Sequence, residues 1–256
     1  MSQPVLLQAT AVCKSFGRRS ARHQVLFNVS IDVRAGECLA VIGGSGSGKS
    51  TLTRILLGLE SADSGTIQYC GQAMPAPGKP CALRRESGLV FQDPFSSLDP
   101  RWRVARSVGE PLTLQRRDLT KEQIADRVAT ALRTIGLDPA VFSSRYPVDL
   151  SGGQAQRAVI ARAIVNEPKV ILADEPMSAI DVAARVQILD AFAAIRQARP
   201  QTALIMVSHD LGVVQHIADR ILVLHNGRVE ELGSTAAVLT NPQSAYTRQL
   251  IEAASL

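Results

Sequence analysis

The stretch Cys38-Leu39-Ala40-Val41-Ile42-Gly43-Gly44-Ser45-Gly46-Ser47-Gly48-Lys49-Ser50-Thr51-Leu52-Thr53-Arg54-Ile55-Leu56-Leu57 reads as strand, turn and helix in succession. Cys38 to Ile42 is an unbroken apolar run, as a parallel strand covered on both faces requires. From Ser50 onward the apolar residues take helical spacing. Between them, Gly43 to Ser50 matches G-x-x-x-x-G-K-[ST] in the strand-to-helix context that gives the pattern its meaning. Glycines there let backbone N–H groups turn inward around phosphate oxygens, and the helix start adds partial positive charge. Lys49 supplies a mobile full charge for outer phosphates, and the Ser50 hydroxyl is placed to ligate Mg²⁺. Gly43, Gly44, Ser45, Gly46, Ser47, Gly48, Lys49, Ser50 and Thr51 form the candidate phosphate site. Alone, this loop indicates a phosphate-binding NTPase and no more.

Further along, Val170-Ile171-Leu172-Ala173-Asp174-Glu175 is an apolar strand ending in adjacent carboxylates. Such a pair is unfavourable at a strand end unless it has partners or chemistry. Asp174 is placed to hold Mg²⁺ through its water shell, and Glu175 to act as general base on an attacking water. The competing reading is a helix start whose acidic residues complement the dipole, a reading that Pro176 keeps open. A third segment, Leu150-Ser151-Gly152-Gly153-Gln154-Ala155-Gln156-Arg157, leads into the apolar helical pattern Ala158, Ile160, Ala161, Ile164. It is a second helix N-terminus suited to an anion. A chain that already cradles its own nucleotide has this second site left for another phosphate, or for the nucleotide of a second molecule.

The remaining organisation is that of one α/β domain. Leu6–Phe16 and Val25–Val33 read as two strands separated by a polar, Arg-rich loop from Gly17 to His23. Further strands are predicted at Gly65–Cys70, Gly88–Phe91, Ala203–Val207 and Arg220–Leu224. His225-Asn226-Gly227-Arg228 carries the Asn-Gly sign of a tight hairpin. Between Asp93 and Ala163 the pattern turns helical, with a capping box at Thr120–Gln123, a stripe of Ile124, Val128, Ala131, Leu132 and Ile135, and a stop at Gly136. A helical block interrupting a strand–helix core predicts an inserted subdomain.

Composition narrows the function classes. The 256 residues are 46% apolar and 20% charged, with no run near the ~18 apolar residues a membrane span needs. Met1-Ser2-Gln3-Pro4 lacks the basic and apolar regions of a signal peptide, so a cytosolic chain is expected. The net charge of +5 suits phosphates or an anionic surface, but 4% aromatics without basic interleaving argues against a nucleic-acid partner. Cys13, Cys38, Cys70 and Cys81 lack metal or redox spacing and read as free thiols.

Leu150-Ser151-Gly152-Gly153-Gln154 resembles the signature of the ABC ATPases, and the resemblance extends over essentially the whole chain. It implies a RecA-like P-loop NTPase core, an N-terminal antiparallel β subdomain and an inserted helical subdomain. The implied division is core 1–93 and 157–235, helical signature subdomain 94–156, and C-terminal tail 236–256. Gln92 in Phe91-Gln92-Asp93-Pro94 is similar to the Q-loop glutamine, which implies sensing of Mg²⁺ and γ-phosphate and contact with a transmembrane partner. Asp181 in Ser178-Ala179-Ile180-Asp181 is similar to the D-loop aspartate, and His209 in Val207-Ser208-His209-Asp210 to the switch histidine. Phe16 stands where the family places an aromatic against adenine. The implied catalytic residues are Glu175, His209 and Gln92, and the implied metal contacts Ser50, Gln92 and Asp174. Two such domains would face head to tail. Ser151, Gly152, Gly153, Gln154 and Asp181 of each would then reach the ATP held by the other. His23, His216 and His225 match no motif and read as structural.

Three residues depart from the family pattern: Ile180 for a usual leucine, Met177 for a common threonine, and Phe16 for the commoner tyrosine. Ile180 and Met177 predict tuning of the dimer contact without loss of hydrolysis, and Phe16 keeps the ring face while losing a hydroxyl. The runs Phe91–Arg101 and Asn241–Leu250 resemble the ATPases of peptide and nickel importers. That resemblance implies a peripheral protein at the cytoplasmic face of the inner or plasma membrane, bound to two permeases and served indirectly by a substrate-binding protein. It also implies pairing with a homologous ATPase as a heterodimer, a homodimer remaining open. Short peptides are the first expected cargo and nickel or metal chelates the next. ATP and Mg²⁺ are the expected cofactors. Relatives that carry an iron–sulfur cluster hold it in a cysteine-containing extension. No cysteine follows Cys81, so no iron–sulfur cluster is expected. The alternative is a soluble, non-transport ABC ATPase such as the accessory ATPase of a phosphonate C–P lyase, which ends in a similar tail. A plain P-loop kinase or GTPase does not account for Leu150–Gln154.

Overall fold

The computed structural model describes residues 3–17, 21–79, 81–178 and 180–254. Arg18-Arg19-Ser20 of the polar loop and Ala179 beside Asp181 lie outside the described residues. In chain order the elements are β1 (Val5–Phe16), β2 (His23–Arg34), β3 (Cys38–Ile42), α1 (Lys49–Leu56), β4 (Ser64–Tyr69), β5 (Gln72–Ala73), α2 (Ala82–Arg85) and β6 (Ser87–Val90). The helical stretch follows, with α3 (Pro94–Ser97), α4 (Val104–Gln115), α5 (Lys121–Thr134), α6 (Pro139–Phe142), a 3₁₀ turn (Pro147–Asp149) and α7 (Gly152–Ile164). The chain then continues with β7 (Val170–Asp174), α8 (Val182–Ala198), β8 (Ala203–Val207), α9 (Leu211–Ile217), β9 (Arg220–His225), β10 (Arg228–Ser234), α10 (Thr235–Thr240) and α11 (Ala245–Ala254). Contacts divide it into two compact units, Met1–Arg84 with Ala203–Leu256, and Arg85–Thr202.

In the first unit the expected pair of long strands is present. β1 runs antiparallel to β2, with Ala9 opposite Ile31 and Val12 opposite Val29, and β4 and β5 extend this sheet in the order β2-β1-β4-β5. Period-two alternation, shifted by one residue at an irregularity between Ala9 and Val12, puts Leu7, Ala9, Val12, Val29, Ile31 and Val33 into the interior. A second sheet holds β3 between β8 and β9, parallel to both, with Ala40 opposite Met206 and Ile221. Every residue of β3 and β8 is buried, as their unbroken apolar sequences require. β9 returns antiparallel into β10 through Asn226 (φ 47°) and Gly227 (φ 73°), the left-handed pair a two-residue hairpin needs.

In the second unit β6 and β7 pair in parallel, Leu89 opposite Leu172. The helical stretch packs around α4, α5 and α7. Thr120 and Gln123 form the anticipated capping box at the start of α5, which buries Val128, Ala131 and Leu132. Gly136 follows its end with φ 71°.

Candidate functional site

The glycine loop, Gln92, Asp174, Glu175 and His209 lie at or just beyond the carboxyl ends of parallel strands, where open α/β sheets place their ligands. In the first unit β3 runs into the glycine loop, and β8 runs into Ser208 and His209. In the second, β6 is followed by Gln92, and β7 ends at Asp174.

The loop is shaped by its neighbours as much as by its own glycines. Gly43 has φ 152°, and a Cβ there would lie 2.1 Å from the Leu224 carbonyl oxygen of β9, so only glycine fits. The Gly227 amide, from the β9–β10 turn, donates to the Ser47 carbonyl at 3.0 Å. The Gly44 amide donates to the Tyr246 hydroxyl at 2.9 Å. Lys49 is 8% exposed, and its ammonium donates to the Gly43 and Gly44 carbonyls at 2.8 and 2.9 Å, spanning the loop it would share with a phosphate.

This loop fits a nucleotide polyphosphate. α1 starts at Gly48 with no side-chain cap, so the first-turn amides of Ser50 and Thr51 are left for an anion. The Ser47 hydroxyl is buried without a hydrogen-bond partner, a donor placed where an oxygen ligand would satisfy it. Among the described residues no cluster of three or more His, Cys, Asp or Glu could hold a metal ion. A Mg²⁺ arriving with nucleotide phosphates and few protein ligands is compatible with that arrangement. Phe16, at the end of β1, is 43% exposed and presents ring surface to a base. Lys14 Nζ lies 4.9 Å from its centroid, held by Glu60 and the Ser61 carbonyl.

His209 is exposed, between buried Ser208 and Asp210, which caps α9 by accepting from the Val213 amide. In the second unit Asp174 and Glu175 are half-buried, and Glu175 has φ 47°, a left-handed backbone rare for this residue type. The Ser178 amide and hydroxyl both donate to the Glu175 carbonyl, fixing the turn. The pair therefore does not open a helix. The next helix, α8, begins at Val182 and is capped by Asp181, which accepts from the Ala184 amide at 2.9 Å.

Ser151 caps α7 in a capping box with Gln154, the side chain of each bonding the other's amide. Gly152 and Gly153 occupy the first turn, and a Cβ on Gly153 would sit 2.5 Å from the Ala184 Cβ of α8. A Cβ on Gly152 would lie 3.5 Å from Ile180 Cδ1, so this departure from the family pattern sits against the signature turn. Met177 is buried. Gln92 is exposed beyond β6, and the Phe91 carbonyl accepts from Gln156 of α7. Further along the chain, a cavity of about 580 Å³ is lined by Phe95, Leu98, Trp102, Ser107, Glu110 and Arg162, among others.

Sequence reasoning missed Tyr246 and left His225 without a role. The two rings stack, centroids 3.7 Å apart, directly behind the glycine loop. The Asn-Gly turn announced a hairpin, but nothing local said that hairpin and tail would close on residues some 200 positions earlier.

Residues 26–178 match the family described as ABC transporter. The di/tripeptide transport ATP-binding protein DppF of Pseudomonas aeruginosa (strain UCBPP-PA14) is 40% identical over 94% of this chain and 75% of its own length. The oligopeptide transport ATP-binding protein OppF of Escherichia coli (strain K12) is 39% identical over 88% of this chain and 67% of its own. The glutathione import ATP-binding protein GsiA of Shigella flexneri is 45% identical over 88% of this chain, which spans only 36% of it. Among solved structures, cbiO1 from Clostridium perfringens, part of the transporter complex cbiONQ, superposes with a TM-score of 0.83 at 27% identity, covering 93% of this chain and 92% of that one. The dimeric cassette MJ0796 does so with 0.79 at 28% identity, covering 90% and 99%. With a phosphate loop of the right build, a matched family model over 26–178 and 40% identity to a transport ATP-binding protein across nearly all its residues, the chain belongs to the ABC transporter family as an ATP-hydrolysing member.

Proposed function

We propose that this chain powers an importer of short peptides, working as one of a head-to-tail pair that shares each ATP. In this reading Phe16 stacks on adenine, the amides of 45–51 and the Lys49 ammonium hold the phosphates, and Ser50, Gln92 and Asp174 meet Mg²⁺ directly or through water. When bound, Mg²⁺ neutralises charge on the outer phosphate oxygens. Glu175 takes the proton of the attacking water, and exposed His209 holds the γ-phosphate side of the site. Ser151, Gly152, Gly153, Gln154 and Asp181 complete the neighbour's pocket. Closure is favoured while triphosphate lies between the two positively biased surfaces, and hydrolysis removes that bridge.

The observation that carries the pair is the presence of two separate helix starts suited to anions, at Gly48 and Ser151, of which only the first has a lysine. We further propose the division into core, helical subdomain 94–156 and tail 236–256, with the cavity lined by Phe95, Trp102 and Arg162 as the surface for a permease segment. Among the described residues no helix is long and apolar enough to cross a membrane. The likeness to the di/tripeptide, oligopeptide and glutathione transport proteins DppF, OppF and GsiA favours peptides over nickel as cargo.

The test is the assembled transporter in proteoliposomes. ATP turnover should rise with a binding protein loaded with di- or tripeptide, and not with one loaded with a nickel chelate. Co-purification with a soluble lyase complex in place of two membrane-spanning subunits would overturn the importer reading.

A further inference from the structure

We propose that Tyr246, in the first turn of α11, is a positioning residue for ATP: its hydroxyl anchors the phosphate loop through Gly44, and His225 holds its ring in place. The proposal rests on the phosphate-loop reading above and adds a residue that no sequence motif marks as part of that site.

Four observations within the first unit converge. The Gly44 amide donates to Tyr246 Oη at 2.9 Å, a bond joining positions 202 residues apart. The loop backbone is therefore held at its second residue by a side chain from the far end of the chain. The phenol ring stacks on His225 at 3.7 Å between centroids and 28° between planes. His225 is the last residue of β9, whose turn donates from Gly227 to Ser47. One hairpin thus supports both the loop and the ring that anchors it. Tyr246 also packs on the cluster of Ala40, Ile42, Val214, Ile221, Val223 and Val238 beneath the loop, so its ring has a fixed seat.

Upstream, the turn that aims α11 is tied to β10. Glu231 accepts from the Gln243 and Ser244 amides at 3.1 Å each, and the Ser244 hydroxyl meets both Glu230 and the Tyr246 amide. The chain of contacts runs from Glu231 through the 243–244 turn to Tyr246 and then to Gly44. A loop that must present several amides to phosphate at once binds best when it is already in that shape, because ordering it otherwise subtracts from affinity. The Tyr246 hydroxyl gives it that order before nucleotide arrives.

The ring's packing and the hydroxyl's bond make separable demands. Tyr246→Phe keeps the stack and the core contact and removes only the acceptor for Gly44. The experiment is ATP titration and steady-state turnover of the intact protein in its complex, with hydrogen exchange of the peptide covering 43–49. The expected result is an ATP KM raised about three- to tenfold, kcat within about twofold, faster exchange confined to 43–49, and a melting temperature lowered by no more than about 4 °C. His225→Phe, which preserves the stack, should match the parent, and His225→Ala should move toward Tyr246→Phe. If KM and loop exchange are the same in Tyr246→Phe as in the parent, the anchor is refuted and Tyr246 only packs. Lys49→Ala run alongside separates the two claims. Loss of ATP binding there with a silent Tyr246→Phe leaves the phosphate loop standing and removes the anchor. Retained binding in Lys49→Ala overturns the loop reading itself.

Discussion

The side-chain amide of Gln156, fully buried in α7, donates to the backbone carbonyl of Phe91 at 3.2 Å and so ties the residue before Gln92 to the helix that opens at Ser151. The segment expected to sense nucleotide and the turn expected to reach the partner's nucleotide are thereby one mechanical piece. Gln156→Leu cuts the tie at similar volume. It strands the Phe91 carbonyl but also removes a buried Gln156 Oε1 that has no partner. These effects offset, so stability should change by about 1 kcal/mol or less. Steady-state assays should show turnover reduced severalfold with ATP affinity unchanged.

Gly153 is a steric requirement as well as a helix start. A Cβ there would lie 2.5 Å from the Ala184 Cβ. Gly153→Ala should therefore destabilise by about 1–3 kcal/mol through overpacking, read as a lower midpoint in urea. Adding Ala184→Gly opens the space and should recover part of that midpoint, less the ~1 kcal/mol a helical glycine loses.

Glu175 should prove indispensable to turnover and dispensable for binding. Glu175→Gln preserves the shape of a residue held at φ 47° and removes the base. Turnover should fall about 10²- to 10⁴-fold, while ATP affinity measured by calorimetry stays within the parent's range.

The tail's seat should be sensitive to acid. Burial disfavours the Glu231 carboxylate, but hydrogen bonds from the Gln243 and Ser244 amides outweigh it and hold the group below the usual 4.5. A depressed folded value stabilises above the unfolded value and is lost as pH falls through the folded one. Local unfolding of α11, followed by exchange of its amides, should be pH-independent near neutrality and increase as pH drops below about 4.5. Glu231→Gln should show the looser tail at every pH.

How much of this was legible from sequence varies by region. The β3–loop–α1 unit, the Asn226-Gly227 hairpin, the Thr120 capping box and the helix start at Ser151 were all readable, because each is set by contacts within a few residues. The choice between a helix start and an active carboxylate at Asp174-Glu175 was open in the sequence. The structure removes the helix start, because α8 is capped by Asp181, seven residues after Asp174. Tyr246 and Gln156 were not readable as site residues. Each acts on a loop through a backbone atom, Gly44 N or Phe91 O, and backbone atoms leave no mark in a sequence pattern.

The shared-nucleotide claim is tested most directly by covalent labelling with an ATP analogue carrying a photoreactive group on its γ-phosphate. The assembled complex bearing Glu175→Gln, which should hold the closed state, is irradiated with Mg²⁺ present and its peptides are identified. Labelling of both the peptide containing Lys49 and the one containing Ser151 to Gln154, the latter lost when the complex is dissociated, is the result the account requires. Labelling confined to the Lys49 peptide under every nucleotide condition would contradict it.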